Sequence, residues 1–117
     1  MGYLTTHVLD TAKGCPGSAM QVRLYRIVDG RSELLSEIVT NSDGRCDSPI
    51  LAADDFKMGK YELVFEAGDY FRRSGTLGSG PSFVEDVVIR FVISDESDHY
   101  HVPLIVSPYS FSTYRGS

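Results

Sequence analysis

The stretch "YHVPLIVS", Tyr100 to Ser107, decides how this chain folds. Tyr100, Val102, Leu104 and Val106 alternate with His101, Pro103 and Ile105. A period of two is the mark of a strand, because successive side chains leave a pleated backbone on opposite faces. Both faces here are largely apolar, whereas an antiparallel sheet ordinarily shows one face to water. The segment therefore reads as a core strand whose second face meets a partner, and closed symmetry makes that partner another copy of the chain. His101 would then point into the interface.

The same period runs outward in both directions. In "YLTTHVLD" (3–10), Leu4, Thr6 and Val8 share one face and Tyr3, Thr5, His7 and Leu9 the other. "KGCPG" (13–17) breaks the chain with Gly and Pro. "MQVRLYRIV" (20–28), "ELLSEIVT" (33–40), "KYELVFEAG" (60–68) and "VEDVVIRFVIS" (84–94) read as further strands, with Tyr61, Leu63 and Phe65 inward on the third of these. Asp29-Gly30 and Asp43-Gly44 supply tight bends, the second delivering Arg45 just beyond it. "LAADDFKMG" (51–59) reads as a helical turn or loop. "DYFRRSG" (69–75) is the one helix candidate, one or two turns opened by Asp69 as N-cap. "YSFSTYRGS" (109–117) reads as the last strand. About seven or eight short strands with almost no helix predict an all-β, two-sheet sandwich, one domain over residues 1–117.

Composition narrows the function. The chain has 117 residues, 42% hydrophobic, enough for a core without staples. Lys and Arg number 11 against 16 Asp and Glu, a net charge of −5, so there is no basic footprint for nucleic acid. No apolar run reaches membrane-spanning length. Cys15 and Cys46 form no CxxC pair and read as free thiols of a reducing compartment. With neither a basic, apolar leader at the start nor Ser-Lys-Leu at the end, the expected location is the cytoplasm.

Few groups are left to carry chemistry. His7 and His101 lie on strand faces opposite the core residues, where an intermolecular pocket would form. His99-Tyr100-His101 places two imidazoles on one face, and with His7 could offer three nitrogens to zinc, although no carboxylate stands out as a supporting partner. No GxSxG elbow and no phosphate loop is present. The remaining kit is an arginine, the histidines and the segment Tyr114-Arg115-Gly116-Ser117. It suits hydrolysis of a polar anionic substrate by water attack, with a histidine as general base and an arginine holding the oxyanion. Fold and composition do not name the substrate.

"LTTHVLD" (4–10), "SDGR" (42–45), "GKYELVFEAGDYF" (59–71) and "HYHVPLIVSPYSFSTYRGS" (99–117) together resemble the 5-hydroxyisourate hydrolases, the transthyretin-like enzymes of urate degradation. The likeness runs in order over essentially the whole chain, and Tyr-Arg-Gly-Ser is its most specific part. Val84 departs from the family, which more often has Pro before the Glu that Glu85 matches, and the "GCPGSAM" turn is less typical.

The resemblance implies a transthyretin-type sandwich of two four-stranded sheets with one short helix. It also implies a homotetramer built as a dimer of dimers, and no metal or organic cofactor. The activity implied is opening of the N1–C6 amide bond of 5-hydroxyisourate to give 2-oxo-4-hydroxy-4-carboxy-5-ureidoimidazoline. Carried over by motif, the site is His7, Arg45 and His101 with Ser117 as catalytic groups, and His7, Arg45, Tyr114, Arg115 and Gly116 binding substrate. Either His7 or His101 activates the water. The rival reading is a non-catalytic carrier of the transthyretin type, which lacks the histidines of "THVLD" and "HVPL" and continues past "STY" without Arg-Gly-Ser.

Overall fold

Strand β1 (Tyr3–Asp10) and strand β8 (His99–Val106) form the spine of the molecule, and they run parallel. The computed structural model describes residues 2–116; Met1 and Ser117, the latter among the expected catalytic groups, lie outside the described residues. Between these strands come β2 (Cys15–Pro16), β3 (Gln21–Val28), β4 (Arg31–Val39), β5 (Leu51–Ala52), β6 (Gly59–Phe65), helix α1 (Ala67–Arg73) and β7 (Val87–Ile93). A short β9 (Phe111–Thr113) follows β8. One sheet has the order β2-β1-β8-β9, with β5 also on β1, and the other β4-β3-β6-β7. This is the two-sheet sandwich expected, with the short β2 and β5 added to its count of strands.

The alternation in the sequence builds the core. Leu4 and Val8 from β1 and Tyr100, Val102, Leu104 and Val106 from β8 face Val22, Leu24, Tyr61, Leu63 and Phe65 of the opposite sheet. Each fully buried Leu, Val or Phe contributes about 1.5–3 kcal/mol of transfer free energy. Helix α1 closes one end with Tyr70 and Phe71. The Tyr70 hydroxyl donates to the buried Asp10 Oδ2 at 2.8 Å, while Asp10 Oδ1 accepts from the Ala12 and Lys13 amides. Asp29 and Gly30, at φ 52° and 76°, make the tight β3–β4 hairpin that Asp-Gly favours.

Four local expectations need correction. Helix α1 begins at Ala67 with Glu66 in the cap position, so Asp69 lies in the first turn and does not cap it. There its carboxylate suits the positive end of the helix dipole and pairs with Arg72 and Arg73. The Gly-Pro break at 13–17 contains β2, which pairs with β1 through Leu9 and Asp10, and "LAADDFKMG" opens on β5 before a 3-10 turn at Ala53–Asp55. The last strand is only Phe111–Thr113; Tyr114 and Arg115 leave the ladder and Gly116 rejoins it by an isolated bridge to His101.

Candidate active site

Parallel register brings the site together. Tyr3 lies opposite His99, Thr5 opposite His101 and His7 opposite Pro103, and all six side chains are on the face of the sheet turned away from the core. The Thr5 hydroxyl lies 2.8 Å from His99 Nε2 and 2.8 Å from His101 Nδ1. The Tyr3 ring stacks on His99 with centroids 4.0 Å apart.

Arg45 reaches this face through a loop locked to the edge of β1. Asn41 Oδ1 accepts from the amides of Asp43 and Arg45, and the Gly44 carbonyl accepts from the Val8 amide at 2.8 Å. Gly44 has φ +76°, and a Cβ there would meet the Val8 carbonyl oxygen at 2.4 Å, so only glycine lets the loop come this close. The result is a backbone bridge between His7 and Arg45.

The segment after β9 is held by its own contacts. The Gly116 amide donates to the His101 carbonyl at 2.7 Å. The Arg115 guanidinium donates to Asp98 Oδ2 at 2.8 Å and to the His99 carbonyl at 3.3 Å, and lies 4.2 Å from the centre of the Tyr100 ring. Arg115 thus fastens the segment to the start of β8 while lining the cleft. Asp98, His99, His101, Tyr114, Arg115 and Gly116 enclose an open cleft of about 730 Å³. A second cleft of about 300 Å³ adjoins it through His99 and His101 and is lined also by Tyr3, Thr5, Arg45 and Cys46. His7 lines neither, and sits at their margin beside Arg45.

The electrostatics favour neutral imidazoles. Partial burial, then the positive charge of Arg45, hold His101 below its ordinary value, with His99 and His7 adding to the effect. Burial and Arg45 also lower His7, against an opposing pull from Asp43. A neutral imidazole is the form that accepts a proton. Burial pushes the Cys46 thiol up to about 11, so it is not a thiolate nucleophile at neutral pH. Among the described residues no group of three or more His, Cys, Asp and Glu side chains is placed to hold a metal ion. His99 and His101 instead turn ring nitrogens onto Thr5.

Of the residues read from sequence, His7 and Arg45 meet through a backbone bridge, and Arg45, His101, Tyr114, Arg115 and Gly116 surround the two clefts. Sequence reasoning passed over Tyr3, Thr5 and Asp98, and weighed His99 only as a metal ligand. The alternation of "YLTTH" did place Tyr3 and Thr5 on the face of His7, but the parallel pairing that sets Thr5 against His101 leaves no local trace.

Comparison with known proteins places the chain in a family. The profile of the HIUase/Transthyretin family matches residues 4–116. A 5-hydroxyisourate hydrolase of Pseudomonas aeruginosa is 56% identical over 117 residues, covering 100% of this chain and 93% of that protein. The solved 5-hydroxyisourate hydrolase of Klebsiella pneumoniae superposes with a TM-score of 0.82 at 38% identity, covering 100% of both chains. A solved (S)-allantoin synthase superposes with a TM-score of 0.92 at 49% identity, covering 99% of this chain but only 44% of that one. With its two-sheet sandwich and the outward histidine face, the chain belongs to the HIUase/transthyretin family.

Proposed function

We propose that this protein, as one domain over residues 1–117, hydrolyses 5-hydroxyisourate to 2-oxo-4-hydroxy-4-carboxy-5-ureidoimidazoline, opening the N1–C6 amide bond in urate degradation. The observation that carries the reading is the convergence of His101, Arg45 and the Tyr114–Gly116 segment on two adjoining clefts, with His7 bridged to Arg45. The hydrolase relative, alike over the whole of this chain and 93% of its own length, supports the same substrate. The carrier reading is not favoured, because a carrier has no use for outward imidazoles held in the basic form.

The reaction follows from the site. A neutral imidazole takes a proton from water, the resulting hydroxide attacks C6, and the carbonyl oxygen becomes an oxyanion. Arg45 supplies the opposing charge, an effect worth about 10²–10³ in rate. The imidazolium then gives its proton to N1 as the C6–N1 bond breaks, so the base is restored. General-base catalysis of this kind contributes about 10²–10⁴. His101 is the better placed base of the two, since its Nδ1 is already anchored on Thr5 and its Nε2 lies outside that contact. His7 then positions substrate beside Arg45. Tyr114, Arg115 and Gly116 wall the cleft.

We take the working assembly to be a homotetramer, a dimer of dimers. Leu9 and Ile105 continue the histidine face as an apolar surface, which two copies could bury against each other. No metal or organic cofactor is called for by the proposed steps, and no helix of the described residues is long and apolar enough to cross a membrane. The free thiols Cys15 and Cys46 suit the cytoplasm as the proposed location.

The deciding experiment adds the protein to urate and urate oxidase and follows the absorbance of 5-hydroxyisourate. Accelerated decay is expected, and a decay rate equal to the spontaneous one would refute the proposal.

A further inference from the structure

The Thr5 hydroxyl bonds two imidazoles at once, at 2.8 Å each, yet a hydroxyl carries a single proton. Between two neutral imidazoles three proton arrangements satisfy both contacts, because the hydroxyl oxygen also has two lone pairs with which to accept. In one, His99 Nε2–H donates to Thr5 and the Thr5 hydroxyl donates to His101 Nδ1, which leaves His101 Nε2 protonated and unable to act as a base. In the second, His101 Nδ1–H donates to Thr5 and the hydroxyl donates to His99 Nε2. In the third, both rings donate to the Thr5 oxygen, whose own proton turns elsewhere; the second and third leave the lone pair of His101 Nε2 available and the first does not.

His99 is built to hold the far end of this chain. Tyr3 covers its ring, its backbone amide donates to Asp98 Oδ1 at 3.0 Å, and its carbonyl accepts from Arg115. These contacts hold the His99 ring in place beside Thr5, and an acceptor at Nε2 there would turn the Thr5 proton away from His101 and leave its oxygen to accept from His101 Nδ1. The threonine also adds no charge. A carboxylate in its place would raise His101 by favouring the imidazolium, whereas the charged or titratable groups that act on His101, namely Arg45, His99 and His7, all favour the neutral ring.

We propose that Thr5 and His99 are positioning residues for His101, acting through the His99–Thr5–His101 hydrogen-bond chain to keep its proton on Nδ1. The inference rests on the reading of His101 as the base. It assigns the second threonine-side partner of the site a task that the orienting aspartate performs in serine hydrolases, with a neutral group.

Two measurements test it together. In nitrogen-15 spectra at neutral pH, His101 should show a protonated Nδ1 and a bare Nε2, and Thr5→Val should mix the two tautomers. In turnover of 5-hydroxyisourate, Thr5→Val should lower kcat about 10- to 100-fold, as loss of an orienting partner does, with KM within about threefold. Thr5→Ser, which keeps the hydroxyl, should recover kcat to within about threefold of the parent. A protonated Nε2 on His101 in the parent, or full kcat in Thr5→Val, would overturn the proposal. So would Thr5→Ser as slow as Thr5→Val, which would mark Thr5 as a packing residue. If the parent protein itself leaves 5-hydroxyisourate decay unchanged, the substrate assignment fails, and the nitrogen spectra still decide whether the chain holds the tautomer.

Discussion

Replacing Gly116 by alanine puts the site geometry to a quantitative test. The Gly116 backbone lies against His101: its amide donates to the His101 carbonyl at 2.7 Å, and an added Cβ would stand 2.8 Å from His101 Cδ2 and 3.3 Å from His101 Cβ. Carbon atoms pack best at about 3.5–4.0 Å, so the ring must yield by roughly 0.7 Å or more. Nε2 is bonded to Cδ2 and moves with it. Misplacing a reacting group by about 1 Å can lower the rate about 10²-fold, so kcat should fall by roughly that factor. Stability should change little, within about 0.5 kcal/mol, because the segment is at the surface. The assay is the decay of 5-hydroxyisourate generated by urate oxidase, beside a urea melt. Gly78→Ala is the control, since a Cβ there meets nothing within 4 Å. Parental kcat in Gly116→Ala, or a loss of rate with the His101 ring unmoved, would refute the reasoning.

Further outcomes follow from the same contacts. His101→Asn should lower kcat about 10²–10⁴-fold with the fold intact by circular dichroism, and parental kcat would make another group the base. Because burial and Arg45 hold His101 and His7 below their ordinary values, the basic forms persist into mild acid. The acid limb of kcat/KM should therefore fall below pH 6.5, and proton titration of Arg45→Met should show His101 moving upward. Away from the site, Tyr70→Phe should destabilise the protein by about 1–3 kcal/mol in urea melts, because it removes the donor to the buried Asp10 Oδ2. Turnover should be unaffected.

Most of the fold was legible because burial imposes a period. Every inward residue read from "YLTTHVLD" and "YHVPLIVS" is buried, and the Asp29-Gly30 turn forms as its composition demands. The helix start is not legible because Asp69 is as good a residue for the first turn as for the cap, and only the packing of Gly68 against Glu85 settles which. The last strand reads too long in the sequence because strand-favouring residues, Phe111, Thr113 and Tyr114, run on past its end. The ion pair of Arg115 with Asp98 and its stacking on Tyr100 then pull the backbone out of the ladder.

By itself the sequence determined which residues face the core, which face away from it, and that the outward set includes His7 and His101 beside an arginine set by a glycine turn. Those properties are local, fixed by the pleat and by the few conformations a turn allows. The tertiary structure alone decided which outward residues meet. Parallel pairing of β1 with β8 joins residues almost the whole chain apart, and register across such a gap depends on the total packing of both sheets. It is that register which sets one threonine hydroxyl between the two imidazoles of a His-x-His step.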